Sequence, residues 1–451
     1  MFKIVESVYI IGAGKSGFSA GLLARRKGFE RVFVSESSQP ENSAELIELF
    51  ESNGIEYEFG KHSFDLLEEF DLVVTSPGVP PNASIITEAA KRGRKIIGEI
   101  EFASQFLENP IIAITGTNGK TTTTALVDFI FKTAGRKSVS AGNIGTPLSD
   151  FVDRIDKETV VVLEVSSYQL DRTEKFKPKV AVILNITPDH IKYHGDYESY
   201  RDAKFKIFAN QDEKDLLILN FDDKETYLAK SLARGEVAFF GFTEVEHGVY
   251  VKGNEICLRF PDSKNEEVLM DIGEIKIPGV HNLYNSLAGI IAARFFEIKN
   301  EHIRQALREF SGVEHRLELV HTLDGVDYVN DSKATNVDAA YYALRSYNRP
   351  IVWIAGGRSD NNDYEFLYDI VEKNVKAIVA IGEARGEIFT NFCTIKRCYL
   401  EDTLEDAVRR AREIATPGDV VLFSPACKSF DMFKNFEHRG KVFKEIVNRL
   451  R

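Results

Sequence analysis

The chain is poor in the residues that build disulfide frameworks and zinc sites, and it has no long apolar run. Its 451 residues include 4 cysteines, and no two of them form a Cys-x-x-Cys pair. This pattern disfavours a zinc site or a set of disulfides and fits a reducing compartment. No apolar stretch of ~18 residues occurs, and no cleavable apolar segment precedes the first glycine turn. We therefore expect a cytoplasmic protein without a membrane partner.

Positively charged residues are outnumbered by negatively charged ones. Lys and Arg number 57 against 69 Asp and Glu, so the formal net charge is -12. Nucleic-acid binding needs a basic stripe, so we expect no nucleic-acid partner. The length predicts about three domains of ~150 residues, and the apolar content of 43% excludes a disordered chain.

Short β-branched runs alternate with helical patterns almost throughout, which is typical of parallel α/β sheets. Three sets of such runs predict domains at residues 1–107, 108–311 and 312–451. In the second set, residues 243–278 differ and indicate a hairpin with Lys252-Gly253-Asn254 at its turn. Helices are expected at Glu99–Leu107, before the first boundary, and from about Phe430 to Leu450 at the C-terminus.

A first glycine loop, Gly12-Ala-Gly-Lys-Ser-Gly17, follows an apolar run and precedes a helical pattern. With Glu36 at the end of the next strand, it matches a dinucleotide-binding fingerprint. The same glycines and helix N-terminus would suit any nucleotide diphosphate. A nicotinamide oxidoreductase, another nucleotide diphosphate and a tight turn without ligand are the alternatives at this point.

A second loop, Ile114-Thr-Gly-Thr-Asn-Gly-Lys-Thr-Thr-Thr-Thr124, follows the apolar run Pro110–Ile114. It resembles a phosphate loop, but the glycine that usually comes five residues before the Gly-Lys pair is replaced by Ile114. Backbone amides of such a loop bind phosphate oxygens, Lys120 neutralises them, and Thr121 or Thr122 reaches Mg²⁺. The competing interpretation is a threonine-rich helix N-cap. A nicotinamide enzyme would leave this loop unexplained.

Two further residues suggest a metal beside the second loop. Glu164 ends the β-branched run Thr159–Val165, and a buried carboxylate requires a cationic partner. His190 follows the run Lys179–Asn185, in a loop at the strand edge where α/β sheets bind ligands.

Motifs spread over nearly the whole chain resemble those of the Mur ligase family, the ATP-dependent amide-forming enzymes of peptidoglycan precursor synthesis. They are the second loop, Gly142-Asn-Ile-Gly, Glu164-Val-Ser-Ser-Tyr-Gln-Leu, Asp189-His190, Tyr200-Arg-Asp-Ala-Lys204, Gly279-Val-His-Asn-Leu-Tyr-Asn, Glu314-His-Arg-Leu-Glu, Asn330-Asp-Ser-Lys-Ala-Thr-Asn and Ser424-Pro-Ala-Cys. The last two are most similar to the members that add D-glutamate to UDP-N-acetylmuramoyl-L-alanine. The resemblance implies a Rossmann-like N-terminal sheet, a central P-loop ATPase-like α/β domain and a Rossmann-like C-terminal domain.

The resemblance also implies residue roles. The ATP site is expected at Gly116, Thr117, Asn118, Gly119, Lys120, Thr121, Thr122, Asn282, Arg316, Asp331 and Lys333. Two Mg²⁺ ions are expected at Thr121, Glu164, His190 and Lys204. The catalytic residues are expected to be Lys120, His190 and Lys204, the last of them carbamylated. The UDP-substrate site is expected at Lys15, Ser16, Ser35, Gly78 and Asn143, and the amino-acid site at Thr335, Asp360, Ser429 and Phe436.

One residue departs from the D-glutamate-adding pattern. After Gly356-Gly357, Asp360 occupies the position where a lysine is expected to pair with a carboxylate of glutamate. Arg358 or Lys428 would be substitutes. We expect relaxed specificity that extends to a basic D-amino acid such as D-lysine. Another Mur ligase, a folylpolyglutamate-synthase-like ligase and a nucleotide-binding module without catalysis are the remaining alternatives, and a monomer is expected.

Overall fold

A computed structural model describes residues 6–40, 43–143, 145–260, 266–277, 279–359 and 362–450, with the backbone alone for Lys192 and Asp338. Asp360, a predicted amino-acid-site residue, lies outside the described residues. The chain divides into two compact units, Met1–Phe310 and Ser311–Arg451. The division into three domains at residues 107 and 311 stays a prediction.

The first unit begins with a five-stranded parallel sheet in the order β3-β2-β1-β4-β5. Its strands are β1 Ser7–Ile11, β2 Arg31–Glu36, β3 Glu56–Phe59, β4 Leu72–Thr75 and β5 Ile96–Gly98. Its helices are α1 Lys15–Arg26, α2 Ser43–Ser52, α3 Ser84–Lys91 and α4 Glu99–Ser104. The order changes direction at β1, and ligands of such sheets bind at the carboxyl ends of the strands beside that point.

A nine-stranded sheet follows in the order β14-β13-β12-β11-β10-β9-β6-β8-β7. Its strands are β6 Ile111–Thr115, β7 Ser138–Gly142, β8 Val160–Glu164, β9 Val180–Ile183, β10 Leu216–Asn220, β11 Glu236–Gly241, β12 Gly248–Lys252, β13 Glu255–Arg259 and β14 Glu267–Asp271. The helices are α5 Lys120–Thr133, α6 Ser167–Asp171, α7 Ile191–His194, α8 Tyr197–Phe205, α9 Lys224–Leu228, α10 Val280–Phe295 and α11 Asn300–Glu309.

The strands from β7 to β12 pair in parallel, and β13 and β14 continue the sheet antiparallel. The central strands β6, β8, β9 and β10 are buried along their whole length. Their unbroken apolar sequences follow from helices covering both faces of a parallel sheet. The predicted hairpin is confirmed, because β12 and β13 pair antiparallel around Gly253-Asn254.

The second unit is a six-stranded sheet in the order β15-β16-β20-β17-β18-β19, parallel except for β15. Its strands are β15 Glu318–Leu323, β16 Val326–Asn330, β17 Ile351–Gly356, β18 Val375–Ile381, β19 Arg397–Leu400 and β20 Val420–Phe423. Its helices are α12 Val337–Arg345, α13 Tyr368–Asn374, α14 Arg385–Phe392, α15 Leu404–Ile414 and α16 Phe436–Asn448. The predicted α/β class with parallel sheets is confirmed.

Two helix predictions were wrong at one end. The C-terminal helix begins at Phe436 instead of residue 430, because Asn435 is extended at φ -164° and its side chain accepts the backbone N–H of His438 at 2.7 Å. An Asn in this conformation is a strong N-cap. The helix α4 ends at Ser104 instead of Leu107. Within the described residues, no helix is both long enough and apolar enough to cross a bilayer.

Candidate functional site

A cavity of about 680 Å³ opens at the carboxyl edge of the first sheet. Four of the five residues predicted for the UDP substrate line it: Lys15, Ser16, Gly78 and Asn143. The fifth, Ser35, is fully buried and is not among the lining residues. The loops after β1, β2, β3 and β4 form the walls together with Gly142 at the end of β7, Asn143 after it, and Gln169 of α6. The volume suits a small-molecule ligand.

The glycine turn of this cavity has little room for side chains. A Cβ on Gly17 would lie 1.8 Å from the carbonyl oxygen of Gly12, and Gly12 itself has φ +98°. A Cβ on Gly14 would meet nothing within 4 Å, so the space beside it is open to a ligand. The helix α1 begins at Lys15, so its first backbone N–H groups lie at the cavity. Such a terminus stabilises a diphosphate.

Glu36, the candidate ribose-binding acid, is already hydrogen-bonded within the protein. Its Oε2 accepts the backbone N–H of Ala13 at 3.1 Å, and its Oε1 accepts the backbone N–H of Ser38 at 3.1 Å. Burial raises the pKa of Glu36, but these hydrogen bonds outweigh it and lower the pKa below its ordinary value. The carboxylate therefore stabilises the glycine turn itself, which weakens the nicotinamide interpretation of this loop.

The shortened phosphate loop is shaped by Asn185, two residues after β9. Its Oδ1 accepts the N–H of Asn118 at 2.8 Å and its Nδ2 donates to the carbonyl of Asn118 at 3.1 Å. Thr117 donates its N–H to the carbonyl of Asn185 at 2.9 Å, and its hydroxyl lies 2.9 Å from that of Tyr200. Gly116 and Gly119 have φ of +154° and +86°, so the loop adopts turns that favour glycine.

The side-chain nitrogens of two predicted catalytic lysines converge on one carbonyl oxygen. Lys120 Nζ donates to the carbonyls of Gly116 and Thr117, each at 2.8 Å, and Lys204 Nζ donates to the same Gly116 oxygen at 2.9 Å. Lys204 is 1% exposed. Burial, reinforced by the charge of Lys120 and opposed by Asp189, holds the pKa of Lys204 well below its ordinary value. This lysine is therefore far more often a neutral amine than a surface lysine would be.

Glu164 connects the cavity to the end of β8. Its Oε1 accepts the side-chain N–H of Asn143 at 3.0 Å, whereas Oε2 is buried and has no hydrogen-bond partner among the described residues. A buried carboxylate oxygen in this state needs a cation. Across the described residues, no group of three or more His, Cys, Asp or Glu side chains forms a metal cage. Magnesium is commonly held by one or two carboxylates together with phosphates and waters, so this donor set fits it.

His190 is the N-cap residue of the short helix α7 and has a left-handed conformation, with φ +54°. Its backbone N–H donates to Asp189 Oδ1 at 2.8 Å, and its ring lies 4.9 Å from that of Tyr168. Tyr168 belongs to α6, which starts three residues after Glu164. The loops after β8 and β9 are thus packed together. This is expected because β8 and β9 flank β6 on its two sides and run parallel to it.

The start of α10 lies against the phosphate loop. Asn285 Oδ1 would be 2.3 Å from a Cβ on Gly119, and Asn285 Nδ2 donates to Asn282 Oδ1 at 3.3 Å. Asn282, a predicted ATP-site residue, therefore lies close to the loop that carries Thr121 and Thr122 at the start of α5. Thr121 is 4% exposed.

In the second unit, Asp331 is buried at the end of β16. Its Oδ2 accepts the hydroxyl of Ser424 at 2.7 Å and its Oδ1 accepts the N–H of Leu317 at 3.2 Å. Burial raises the pKa of Asp331 to about 7, against the hydrogen bond of Ser424 and the charges of Arg316 and Lys333. The three predicted nucleotide residues of this unit are therefore neighbours.

The candidate amino-acid residues of this unit belong to loops at the same edge of its sheet. Thr335 is half-buried after β16, Ser429 is buried after β20, and Phe436 starts α16. Ser332 donates its hydroxyl to the carbonyl of Phe436 at 2.9 Å. Arg439, 1% exposed, donates to the carbonyls of Ser332 and Cys427 at 2.8 and 3.0 Å.

Arg358 and Lys428, the proposed substitutes for the expected lysine, form a backbone bridge to each other. The guanidinium of Arg358 also pairs with Glu383 at 3.1 Å. This pairing leaves less of its charge available to a substrate carboxylate.

Sequence reasoning missed several residues that shape these sites, namely Asn185, Tyr200, Asn285, Arg439, Gln169 and His62. Gln169, Tyr200 and Asn285 lie in motifs quoted for the resemblance, and Asn185 ends the run Lys179–Asn185, so these positions carried a signal. The position of His62 carried none, because the strand before it was not predicted.

Comparison with known proteins identifies the class. Family models described as the MurD-like N-terminal domain, the Mur ligase middle domain, and the Mur ligase glutamate ligase domain match residues 6–98, 114–293 and 315–427. The chain belongs to the Mur ligase family, which confirms the resemblance found in the motifs.

The relatives extend over the whole chain. A UDP-N-acetylmuramoylalanine–D-glutamate ligase of Salinibacter ruber is 45% identical and covers 98% of this chain and 97% of its own length. An enzyme of the same name from Koribacter versatilis is 41% identical, with 99% and 98% covered. The crystal structure of UDP-N-acetylmuramate-alanine ligase from Thermotoga maritima shares the fold, with a TM-score of 0.55, 20% identity, and 98% and 99% coverage.

Proposed function

We propose that this chain is an ATP-dependent ligase that joins D-glutamate to UDP-N-acetylmuramoyl-L-alanine in peptidoglycan precursor synthesis. The observation that carries the proposal is 41–45% identity to D-glutamate ligases over 98–99% of the chain. The other Mur activities and the folate-type ligases are weaker candidates, because these relatives are all D-glutamate ligases. A nicotinamide oxidoreductase is excluded by the family.

The reaction requires an activated carboxyl group. A carboxylate oxygen of the substrate attacks the γ-phosphorus of ATP, the bond from that phosphorus to the β–γ bridging oxygen breaks, and ADP leaves. The amine nitrogen of D-glutamate then attacks the carbonyl carbon of the acyl phosphate. The carbon–oxygen bond to phosphorus breaks, inorganic phosphate leaves, and the amine gives up a proton as the amide forms.

Lys120 offsets the repulsion between the two anions in the first step. Its Nζ lies 2.8 Å from the carbonyls of Gly116 and Thr117, at the loop that would hold the terminal phosphates. Backbone N–H groups at the start of α5 would add to the positive potential there. Lys120, Gly116–Thr122 and Asn282 form the proposed nucleotide site of the first unit. Arg316, Asp331 and Lys333 are the proposed nucleotide residues of the second.

Magnesium is proposed at Glu164, with Thr121, His190 and Lys204 as further candidates for one or two ions. When bound there, the metal would neutralise phosphate and acyl charge. Glu164 fits because Oε2 is buried without a partner. Asn143, which donates to Glu164 Oε1, would set the position of that carboxylate and contact the substrate from the cavity.

Carbamylation of Lys204 is proposed from its protonation state. Only a neutral amine attacks carbon dioxide, and burial favours that form in Lys204. The product is an anion with carboxylate-like oxygens, which could orient a metal. His190 is a candidate for accepting the proton of the attacking amine.

Specificity at the amino-acid site is proposed to be broader than D-glutamate. Asp360 lies where a lysine is expected, and Arg358 is already paired with Glu383. An aspartate would repel the side-chain carboxylate of glutamate and attract an ammonium group, so D-lysine is the second candidate substrate. Thr335, Ser429 and Phe436 are the other proposed contacts of the amino acid.

The deciding experiment identifies the products by mass spectrometry. The full-length chain is incubated with ATP, Mg²⁺, UDP-N-acetylmuramoyl-L-alanine and equal amounts of D-glutamate and D-lysine, and each component is omitted in turn. The proposal predicts ADP, phosphate and the D-glutamyl amide, with a smaller D-lysyl product. No amide product, or turnover with UDP-N-acetylmuramate in place of its alanyl form, would contradict it. Absence of the D-lysyl product alone would overturn only the broader specificity.

A further inference from the structure

His62 lines the large cavity at its first-sheet side. It lies in the loop after β3, while Glu36 and Ser37 follow β2 and the glycine turn follows β1. These strands are parallel neighbours, so their loops meet at one edge. In such sheets the diphosphate binds at the glycine turn and the nucleoside binds towards the end of the second strand. Since β3 is next to β2, His62 belongs to the nucleoside end of the cavity.

A partly buried chain of hydrogen bonds fixes the ring of His62. Ser35 Oγ lies 2.7 Å from His62 Nδ1 and 2.7 Å from Glu58 Oε1. Glu58 also accepts the N–H and the hydroxyl of Ser63, at 2.7 and 2.5 Å, and the hydroxyl of Tyr9 at 3.2 Å. Burial raises the pKa of Glu58, but these bonds outweigh it and lower the pKa, so Glu58 is an acceptor at neutral pH.

The hydrogen-bond chain from Glu58 through Ser35 determines which nitrogen of the His62 ring carries the proton. Ser35 has one hydroxyl hydrogen, and the Glu58 carboxylate takes it because a carboxylate can only accept. The oxygen of Ser35 must then accept a hydrogen from His62 Nδ1. Burial lowers the pKa of His62, with Glu58 and Glu36 opposing the shift, so the ring is mainly neutral near pH 7. A neutral ring protonated at Nδ1 has a lone pair on Nε2.

We propose that His62 is a nucleoside-binding residue, whose Nε2 accepts a hydrogen bond from a donor on the uridine half of the substrate. The inference rests on the proposed function, since it requires a uridine nucleotide in the cavity. Uridine offers two kinds of donor, the N3–H of uracil and the ribose hydroxyls. Cytosine has an acceptor at N3, so contact with the base would also select uracil. The carboxylate of Glu36 already accepts hydrogen bonds from the backbone N–H groups of Ala13 and Ser38. His62 is therefore a second polar group that a ligand can contact at this end of the cavity.

The test measures binding of UDP, and of UDP-N-acetylmuramoyl-L-alanine, to the full-length chain by calorimetry. In H62Q the amide oxygen replaces the acceptor near Nε2. In H62N the amide reaches only the position of Nδ1. We expect H62Q to bind within about twofold of wild type and H62N to bind about three- to tenfold more weakly, the loss of one neutral hydrogen bond. H321N, at an exposed histidine of β15 in the second unit, is the matched control.

Analogues identify the donor. If the donor is uracil N3–H, N3-methyl-UDP binds wild type more weakly than UDP, and H62N shows less of this difference. If the donor is a ribose hydroxyl, 2′-deoxy-UDP or 3′-deoxy-UDP binds wild type more weakly than UDP does, and H62N shows less of this difference. Nitrogen-15 NMR of the His62 ring should show a proton on Nδ1 and a shift of the Nε2 resonance on addition of UDP. A merely structural role would change none of these differences.

The outcomes separate the two proposals. If wild type binds UDP and forms the amide while H62N binds every ligand as wild type does, the assignment of His62 is overturned and the ligase function stands. The assignment of His62 is also overturned if the difference in affinity between UDP and its analogues is the same in wild type and in H62N. If wild type binds neither UDP nor the UDP-sugar substrate, the proposed function fails and the assignment of His62 fails with it.

Discussion

The side-chain amide of Asn143 donates to Glu164 Oε1 at 3.0 Å, and this bond joins the substrate cavity to the end of the central strand β8. Asn143 thus has one side towards the cavity and one towards a carboxylate whose other oxygen is buried and unpartnered among the described residues. Under the proposed function, the acyl end of a bound substrate would lie next to the proposed cation position.

Replacing Glu164 with Gln should abolish the first chemical step without harming the fold. Gln keeps an acceptor for Asn143 but removes the negative charge that holds the cation. We expect kcat to fall on the order of 10²-fold or more and the Mg²⁺ requirement to rise, because charge stabilisation of this kind has that size. E274Q, which removes an exposed pairing with Arg308, should keep wild-type kinetics. Magnesium titrations of ADP release measure both, and an unchanged Mg²⁺ dependence in E164Q would exclude the proposed ligand role.

The activity of the enzyme should depend on carbon dioxide, which would form a carbamate on Lys204. Burial holds the pKa of its amine well below the ordinary value, which favours the neutral form that can become a carbamate, and an arginine cannot form one. We expect K204R and K204A to lose on the order of 10²-fold or more in kcat, and K204A to regain part of it with acetate or formate in place of the carbamate. Carbon-13 NMR with labelled bicarbonate should show one carbamate resonance in wild type and none in K204R. Full activity of K204R would rule the modification out.

Glu99 should make stability decrease as pH rises towards neutrality. Its Oε1 accepts the N–H and hydroxyl of Ser149 at 2.7 and 2.6 Å, but burial dominates and raises its pKa to about 7, with Asp150 adding to the shift. The unfolded pKa is ~4.3. Between these values the folded state binds more protons than the unfolded state, so the free energy of unfolding falls as pH rises, by about 4 kcal/mol at most. Above pH 7 this contribution is constant.

Chemical denaturation from pH 4.5 to 8 would measure the effect. E99Q stays neutral at every pH, so its free energy of unfolding should lack this decline and should exceed that of wild type at pH 8. E51Q, on the surface of α2, gives the matched control. Parallel profiles for wild type and E99Q would show that Glu99 does not titrate in this range.

The glycine turn should respond differently to alanine at each position. G17A puts a Cβ 1.8 Å from the Gly12 carbonyl, so we expect a loss of stability of about 1–3 kcal/mol and loss of UDP binding. G14A meets no protein atom within 4 Å, so its stability should stay within about 0.5 kcal/mol while UDP binding weakens. G386A, in α14 with equally open space, should affect neither adversely. Thermal melting and calorimetry separate the three, and normal UDP binding by G17A would refute the described turn.

Local patterns predicted the parts of the fold where they are strongest. The phosphate loop was predictable because strand β6, two glycines, Lys120 and helix α5 occur in order along the chain. The strands β3, β7, β15 and β19 were not, because they are edge strands whose sequences are short or polar. Strand β11, which lies inside its sheet, was also missed.

The residues of the candidate site also fall into those that local patterns predicted and those that they did not. Glu164 and His190 could be inferred from strand ends, because parallel strands place such residues at one edge. The burial of Lys204 could not be inferred, since its neighbours Arg201, Asp202 and Lys206 are those of an exposed helix. His62 was missed because β3 was missed. These properties depend on which distant elements pack together, and a local pattern contains no information about that.

Isotope transfer tests the central claim most directly. UDP-N-acetylmuramoyl-L-alanine labelled with oxygen-18 in its terminal carboxylate is incubated with the full-length chain, ATP, Mg²⁺ and D-glutamate, and the released phosphate is analysed by mass spectrometry. Activation through an acyl phosphate moves one labelled oxygen into each phosphate and leaves the other in the amide. Released phosphate without oxygen-18, alongside normal formation of the amide, would contradict the account.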